Sequence, residues 1–418
     1  MKYLQICVLL FFCVDMCSQE VQKKIDYRTY MELVQKQNIG YAAEKLNINA
    51  AEAELKAAHV FNDIVLGVEY ADNDDKNMMM GRSVAVELSK TFSFGKRGAN
   101  IDLAKSEKEL TSALLEDYFH TLRAEATLAY FETVMQTELF RVKQQSYENI
   151  RDLAKGDSIR FQLGKITQVD AIQSALEAGI SRNELTEMHA ELHNMYSSLN
   201  LWVGEFDGKT LLIPEGTLAM NERIFNTDEL LKTALNNRAD LTAAMKNANV
   251  ARKSLKVAQR ERNLDFDLAL GYNYNTEVRN EIAPAPKFNG VSLGIAIPLK
   301  FSNLNKGTVR AAEHRAQQAA LMYQQAEMEV QASVIQSLRK YKSMLEQVKN
   351  FDNGMLRDAK SVIGGRIYSY ERGETSLLEV LVAQRTYDEL QENYIETLFR
   401  CISSLVELEK NAGIWDIQ

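Results

Sequence analysis

Two of the five histidines, His189 and His193, stand four apart on a predicted helix, a spacing at which neighbours on one face can share a metal ion. A metalloprotease helix would need glutamate directly after His189. The chain has Ala190 there, and Glu191 comes one place too late to project the same way. A solvated helix face accounts for the pair. Asp72, Asp74 and Asp75 resemble hard oxygen ligands for calcium, and Met78 to Met80 soft ligands for copper-like ions. A polar loop accounts for them more simply. With no glycine-rich phosphate loop and no nucleophile arrangement, the sequence assigns no catalytic residue, cofactor or metal, and an enzyme is not expected.

The remaining residues of interest gather at two glycine turns. Phe161-Gln-Leu-Gly164-Lys-Ile-Thr167-Gln-Val-Asp170 answers Tyr370-Glu-Arg-Gly373-Glu-Thr-Ser376-Leu-Leu-Glu379. Glycine can take the left-handed conformation that ends a helix. Ser376 to Glu379 then forms a capping box that starts the next one, and Thr167 to Asp170 is a weaker version. Capping and dipole compensation are sufficient roles for Asp170 and Glu379.

The elements that carry these turns occur twice. Gly98 matches Gly307 and Gly164 matches Gly373 at one offset of about 209 residues. Each copy reads strand, strand, very long helix, glycine turn, long helix. All four prolines (Pro214, Pro284, Pro286, Pro298) lie in one central window, so residues 99–213 and 299–418 are free of them, as uninterrupted helices require. Gly98 to Gly164 leaves room for roughly 100 Å of helix. Ala312, Ala316, Ala319, Tyr323, Ala326 and Val330 step by threes and fours, a coiled-coil seam.

The strands alternate with period two. Leu264, Phe266, Leu268, Leu270, Tyr272 and Tyr274 oppose Asp265, Asp267, Ala269, Gly271 and Asn273. Val291, Leu293, Ile295, Ile297, Leu299 and Phe301 repeat the pattern, as do Ile64 to Tyr70 and Val84 to Leu88 in the first copy. Strands of about ten residues with one apolar face suit a transmembrane barrel, and taken alone they also suit a half-buried soluble sheet.

Composition bounds the rest. The 418 residues are 46% hydrophobic and 25% charged, and after the start no apolar run nears the roughly 20 residues of a membrane helix. Residues 1–18, with Lys2 before an apolar stretch from Leu4 to Val14, read as a secretory signal. Cys17 is a candidate for lipidation, although Val14-Asp-Met16 lacks the small residue usual before such a cysteine. Three of the four cysteines fall in this segment, leaving Cys401, so no internal disulfide is expected. A net charge of -8 argues against nucleic acid as a partner.

Thr91-Phe-Ser-Phe-Gly-Lys-Arg-Gly98, Ile295-Ala-Ile-Pro-Leu299, Asn237-Arg-Ala-Asp-Leu241 and the two glycine turns together resemble the TolC family of outer-membrane factors, and the resemblance covers essentially the whole mature chain. It implies a mostly α fold with a transmembrane β-barrel portion: a homotrimer whose twelve strands close one barrel continuous with a long α-helical tunnel across the periplasm. The domain reading that follows is a first repeat over 19–210, with strands near 63–72 and 82–94 and helices near 98–163 and 167–200. A linker and second repeat occupy 211–418, with strands near 264–277 and 288–301 and helices near 303–372 and 376–411.

The implied function is a passive exit duct of a tripartite efflux or type I secretion system in the outer membrane. Its partners would be outer-membrane lipid, a periplasmic adaptor and an inner-membrane transporter. Carried over position by position, the resemblance places Glu379 at an acidic constriction, with Val382 replacing the second acid of some relatives and Thr375 replacing an arginine. Tyr370 and Asp170 match a pair that hydrogen-bonds across hairpins, while Gly164, Gly373, Thr167 and Ser376 shape the tips that dock the adaptor. A secreted coiled-coil scaffold or adaptor without a channel is the alternative.

Overall fold

The computed structural model describes residues 21–76, 79–219, 222–299 and 303–417. The expected signal segment with Cys17, and Met78 of the polar loop, lie outside the described residues. In chain order the elements are β1 (Val21–Asp26), α1 (Tyr27–Gln37), α2 (Ile39–Ala58), β2 (Ile64–Asp72), β3 (Arg82–Ser93), α3 (Lys96–Gln162) and α4 (Gln168–Val203). There follow β4 (Thr210–Glu215), α5 (Thr227–Asn237), α6 (Ala239–Arg260), β5 (Asp265–Asn275), β6 (Phe288–Ala296), α7 (Lys306–Asn350), α8 (Leu356–Glu371) and α9 (Leu377–Ala412). The order strand, two helices, two strands, long helices thus occurs twice. The leading strands of the two halves, β1 and β4, pair with each other in parallel.

The chain divides into two compact units. One comprises Glu44–Glu116 and Ala239–Met328 and holds a four-stranded antiparallel sheet of order β2-β3-β5-β6. Its register aligns the alternating pattern across all four strands, because a one-residue slip would flip every side chain. Leu66, Leu88, Leu270 and Leu293 form one continuous row, and Val68, Val86, Tyr272 and Val291 the next. The opposite face is small or polar: Gly67, Glu87, Gly271 and Ser292, then Glu69, Ala85, Asn273 and Gly290.

The apolar rows are uncovered. Leu66 is 62% exposed, Leu270 53% and Val291 77%. Aromatic rings bracket them: Phe92 stacks on Phe266 at 5.1 Å at one end, and Tyr70 and Tyr274 stand at the other. From Phe266 to Tyr274 is about 27 Å along the strand, on the order of the ~25 Å apolar band of a membrane barrel, with Lys90 the one charged residue on this face over that span, in the row of Ile64, Leu268 and Ile295 next to the phenylalanines. The sequence pattern runs on to residue 301, but β6 stops at Ala296. Pro298, two residues on, has no N–H to donate to a ladder.

The other unit contains the described residues up to Ala43 together with Asp117–Arg238 and Glu329–Gln418. Its core gathers Tyr30, Val34, Ala126, Tyr130, Val134, Leu199, Val203 and Val406, all at most 3% exposed. The Tyr130 hydroxyl reaches the carbonyls of Ile25 at 3.0 Å and Glu215 at 2.5 Å, tying the ends of β1 and β4 to α3.

A buried ion pair locks the C-terminal segment of this unit. Arg223 pairs with Glu409, whose side chain is fully buried, and reaches Asp416 at 2.8 Å. The Asp416 amide donates back to Glu409 at 2.9 Å. Burial raises the Glu409 carboxyl above its ordinary range, and Arg223 only partly offsets this. Arg223→Ala leaves a buried carboxylate without its cation, a change of about 3–5 kcal/mol in general. The low end, about 3 kcal/mol, is expected here, since Glu409 can take up a proton instead. Loss of thermal stability in the purified protein, measured by circular dichroism, checks it; an unchanged melting temperature would refute it.

The helices are long for local reasons. α3 runs 67 residues without a proline. The stretch predicted as one helix over 303–372 is broken, however, by a π-turn at Phe351–Met355 between α7 and α8. Gly354 sits there at φ 107°, outside the reach of ordinary helical residues. The Tyr394 hydroxyl, 3.0 Å from Asp352, closes the turn against α9.

Candidate functional site at the helix-hairpin tips

Each hairpin tip is built from a glycine stop and a polar restart. At the first, Gly164 takes φ 68° and the Lys165 amide reaches back to the Arg160 carbonyl at 2.9 Å. At the second, Gly373 takes φ 75° and the Glu374 amide reaches Ser369 at 2.9 Å. Both are left-handed stops that satisfy orphan carbonyls.

The restarts reverse the sequence expectation. Thr167 and Asp170 make the complete capping box: Asp170 N donates to the Thr167 hydroxyl at 3.1 Å, and Thr167 N to the Asp170 carboxylate at 3.4 Å. Ser376 caps α9 through the Glu379 amide at 3.4 Å, but the Glu379 carboxylate lies 3.5 Å from the Ser376 hydroxyl and pairs at 2.5 Å with Arg366 of α8. Glutamate is one methylene longer and reaches the neighbouring helix. Asp170 cannot.

Tyr370 is 6% exposed and packs with Ile363, Leu377 and Val380 against Leu153 of α3. Its hydroxyl donates to Asp157 of α3 at 2.9 Å. Within the chain Tyr370 is therefore tied to Asp157, while Asp170 serves its own helix start.

Asp157 was not singled out from the sequence. It reads there as one more acid on a long helix, yet it is fully buried. Its Oδ1 accepts from Tyr370 and lies 3.7 Å from Arg160. Its Oδ2 has no hydrogen-bond partner among the described residues, the nearby Ser174 hydroxyl being turned to the Ala171 carbonyl. Burial, more than any other cause, pushes the Asp157 carboxyl up. Burial and then the Asp157 hydrogen bond push the Tyr370 phenol up to about 12. A sequence signal existed: at offset 209 Asp157 answers Arg366, so the two copies carry opposite charges at one position.

Next to this tie a cavity of about 340 Å³ separates α3 from α8 and α9, lined in part by Ile150, Leu153, Ile367, Val380 and Gln384. A second polar contact follows along α9. Asp388 accepts from the Ser146 hydroxyl at 2.5 Å and from the Gln384 amide at 2.8 Å, while Lys143 pairs with Glu184 of α4 at 2.6 Å. Burial raises both Asp388 and Glu392. The contact of α3 with α8 and α9 thus holds three carboxylates, Asp157, Asp388 and Glu392, all costly in their charged form.

A sheet with one largely apolar face whose edge strands β2 and β6 have no further strand partner among the described residues, in a chain with two long helical hairpins, has the geometry of a barrel-forming membrane subunit of the channel type. The family model described as outer membrane efflux protein matches residues 230–413. The chain is 22% identical over 403 residues to the cobalt-zinc-cadmium resistance protein CzcC of Cupriavidus metallidurans, with 96% of this chain and 93% of that protein covered. It also superposes on the CmeC outer membrane channel of Campylobacter jejuni with a TM-score of 0.77, at 15% identity over 92% of this chain and 85% of that one. The outer membrane protein VceC of Vibrio cholerae gives 0.72 at 16% identity, over 92% and 95%. The family-model match and these relatives support a likeness to the TolC-type outer-membrane factors of the outer membrane efflux family. Members of that family are channels, and they work in tripartite systems with adaptors and inner-membrane pumps.

Proposed function

We infer that this chain is a passive exit duct in the outer membrane, extending into the periplasm and opened at its helical tips by an adaptor and an inner-membrane pump. One observation carries the reading most directly: four strands present two exposed, wholly apolar rows, Leu66 to Leu293 and Val68 to Val291, on one face, and β2 and β6 have no further strand partner among the described residues. A coiled-coil scaffold has no use for such a sheet. Open edges are not tolerated in hydrocarbon, so closure needs further copies. Three copies would give twelve strands.

In this reading the tie between Tyr370 and Asp157 is the closed-state latch between the two hairpins of one chain. Glu379, paired with Arg366, stands at the entrance, and Asp170 with Thr167 stabilises the static hairpin. Opening is a loosening of packed helices biased by partner contact, with the energy supplied by the pump. Gly164, Gly373, Thr167 and Ser376 shape the surface offered to the adaptor.

Purified protein in a planar bilayer tests the duct. Discrete conductance from a species of trimer mass is the expected result. Monomeric protein without conductance, even after Tyr370→Phe, would defeat it. Crosslinking at the tips in cells is expected to retrieve an adaptor and a transporter, and the tripartite arrangement fails if it retrieves neither.

A further inference from the structure

We propose that His189 and His193 form a binding site for one first-row divalent cation of the zinc class on α4. The two imidazoles lie one helical turn apart with ring centroids 4.3 Å apart and planes inclined at 43°. A tetrahedral zinc ion bound at ~2.0–2.1 Å by two imidazoles needs their nitrogens about 3.3 Å apart. Rings this close can meet that demand by rotation about their side-chain bonds, with no movement of the helix.

The wall behind the pair is packed. His189 rests on Phe140 of α3 at 5.7 Å, and His193 stands 6.2 Å from Tyr196. Leu192 and Tyr196, on the same stretch of α4, are buried with Leu211 against Phe140 and Ile213. The Tyr196 hydroxyl lies 3.1 Å from Thr137, a further link from α4 to α3. Two ligands on a fixed backbone lose little freedom on chelation. His189 itself is exposed, so an ion can reach it.

The donor set selects the ion. Imidazole suits zinc, copper and nickel, whereas calcium and magnesium require oxygen ligands. Among the described residues no third histidine, cysteine or carboxylate joins the pair into a larger cluster. Water would complete the coordination, and binding would be of the exchangeable kind. Nothing in this site depends on the duct reading.

Zinc chloride titrated calorimetrically into the purified, untagged, chelator-treated protein tests the site. One ion per chain is expected, with affinity falling at least tenfold in His189→Gln and in His193→Gln, because either change converts a chelate into a single ligand. His314→Gln, at an exposed histidine elsewhere, should leave the affinity unchanged. Zinc should also raise the melting temperature of the unaltered protein, and not that of the double variant, by mass action. Glutamine favours helix, so the variants retain α4, and a normal far-ultraviolet spectrum verifies this. Equal zinc affinity in the single variants, or no zinc bound by the unaltered protein at submillimolar concentration, overturns the proposal.

Discussion

Leu270→Arg is expected to remove the protein from the outer membrane altogether. Leu270 lies in the continuous row Leu66, Leu88, Leu270, Leu293, between the aromatic pair Phe92 and Phe266 and the tyrosines at the other end. On the barrel reading this row faces lipid near the middle of the apolar band. An arginine at the bilayer midplane of a barrel costs about 2–4 kcal/mol, and a trimer carries three, so the assembly loses roughly 6–12 kcal/mol by the same rule. That approaches the whole stability of a typical domain.

Glu87→Arg is the matching control. Glu87 lies one place before Leu88 on β3 and belongs to the small and polar face with Gly67, Gly271 and Ser292. Insertion should survive there, and ion selectivity should shift toward anions. Fractionation of outer membranes and trimer mobility on gels give the comparison. Equal membrane yields for the two variants would show that the apolar rows do not face lipid.

How far the sequence reveals this architecture depends on the physics of each element. Period-two alternation is local, so β5 could be read residue by residue from Leu264 to Tyr274. The register that joins the rows into one face depends on pairing between distant segments, which no single strand announces. Absence of proline makes α3 legible. It leaves the break after α7 hidden, because Phe351–Met355 contains Gly354, and a lone glycine in a helix usually costs stability without kinking it. The pairing of β1 with β4 is also invisible locally, since its strands are six residues each and lie in opposite halves.

At the tips, residue types were legible and partners were not. Ser376 with Glu379 and Thr167 with Asp170 have the same spacing, and only the presence of Arg366 one turn before the second tip decides that Glu379 turns away. Tyr370 stands out only through the family resemblance, which pairs it with Asp170. Its acceptor is 213 residues away on α3.

That acceptor makes Tyr370→Phe the sharper of the tests at the entrance. Removing a hydrogen bond to a charged group costs roughly 1.5–3 kcal/mol, and here it leaves Asp157 buried with only the more distant Arg160. On the duct reading, with three such latches in a trimer, the closed state would lose on the order of 5–9 kcal/mol by the same rule. About 5.5 kcal/mol is enough to move a two-state equilibrium from 1:99 to 99:1, so conductance should change from mostly closed to mostly open. Asp170→Ala should do far less, since it removes half of a capping box worth about 0.5–2 kcal/mol to the start of one helix.

Asp157→Asn separates the hydrogen bond from the charge. Asparagine keeps an acceptor for the Tyr370 hydroxyl, so this variant should stay closed. The sign of its pH dependence follows from linkage. Burial raises the Asp157 carboxyl in the closed state, whereas opening returns it toward the ordinary carboxylate range. The closed form therefore binds the proton more tightly, and acidification from neutral pH through the raised value favours closure. Single-channel recordings should show open probability falling with pH in the unaltered protein and a weaker fall in Asp157→Asn, with Asp388 and Glu392 still titrating in both. Open probabilities that respond alike to Tyr370→Phe and Asp170→Ala would instead place the latch outside the contact between α3 and α8.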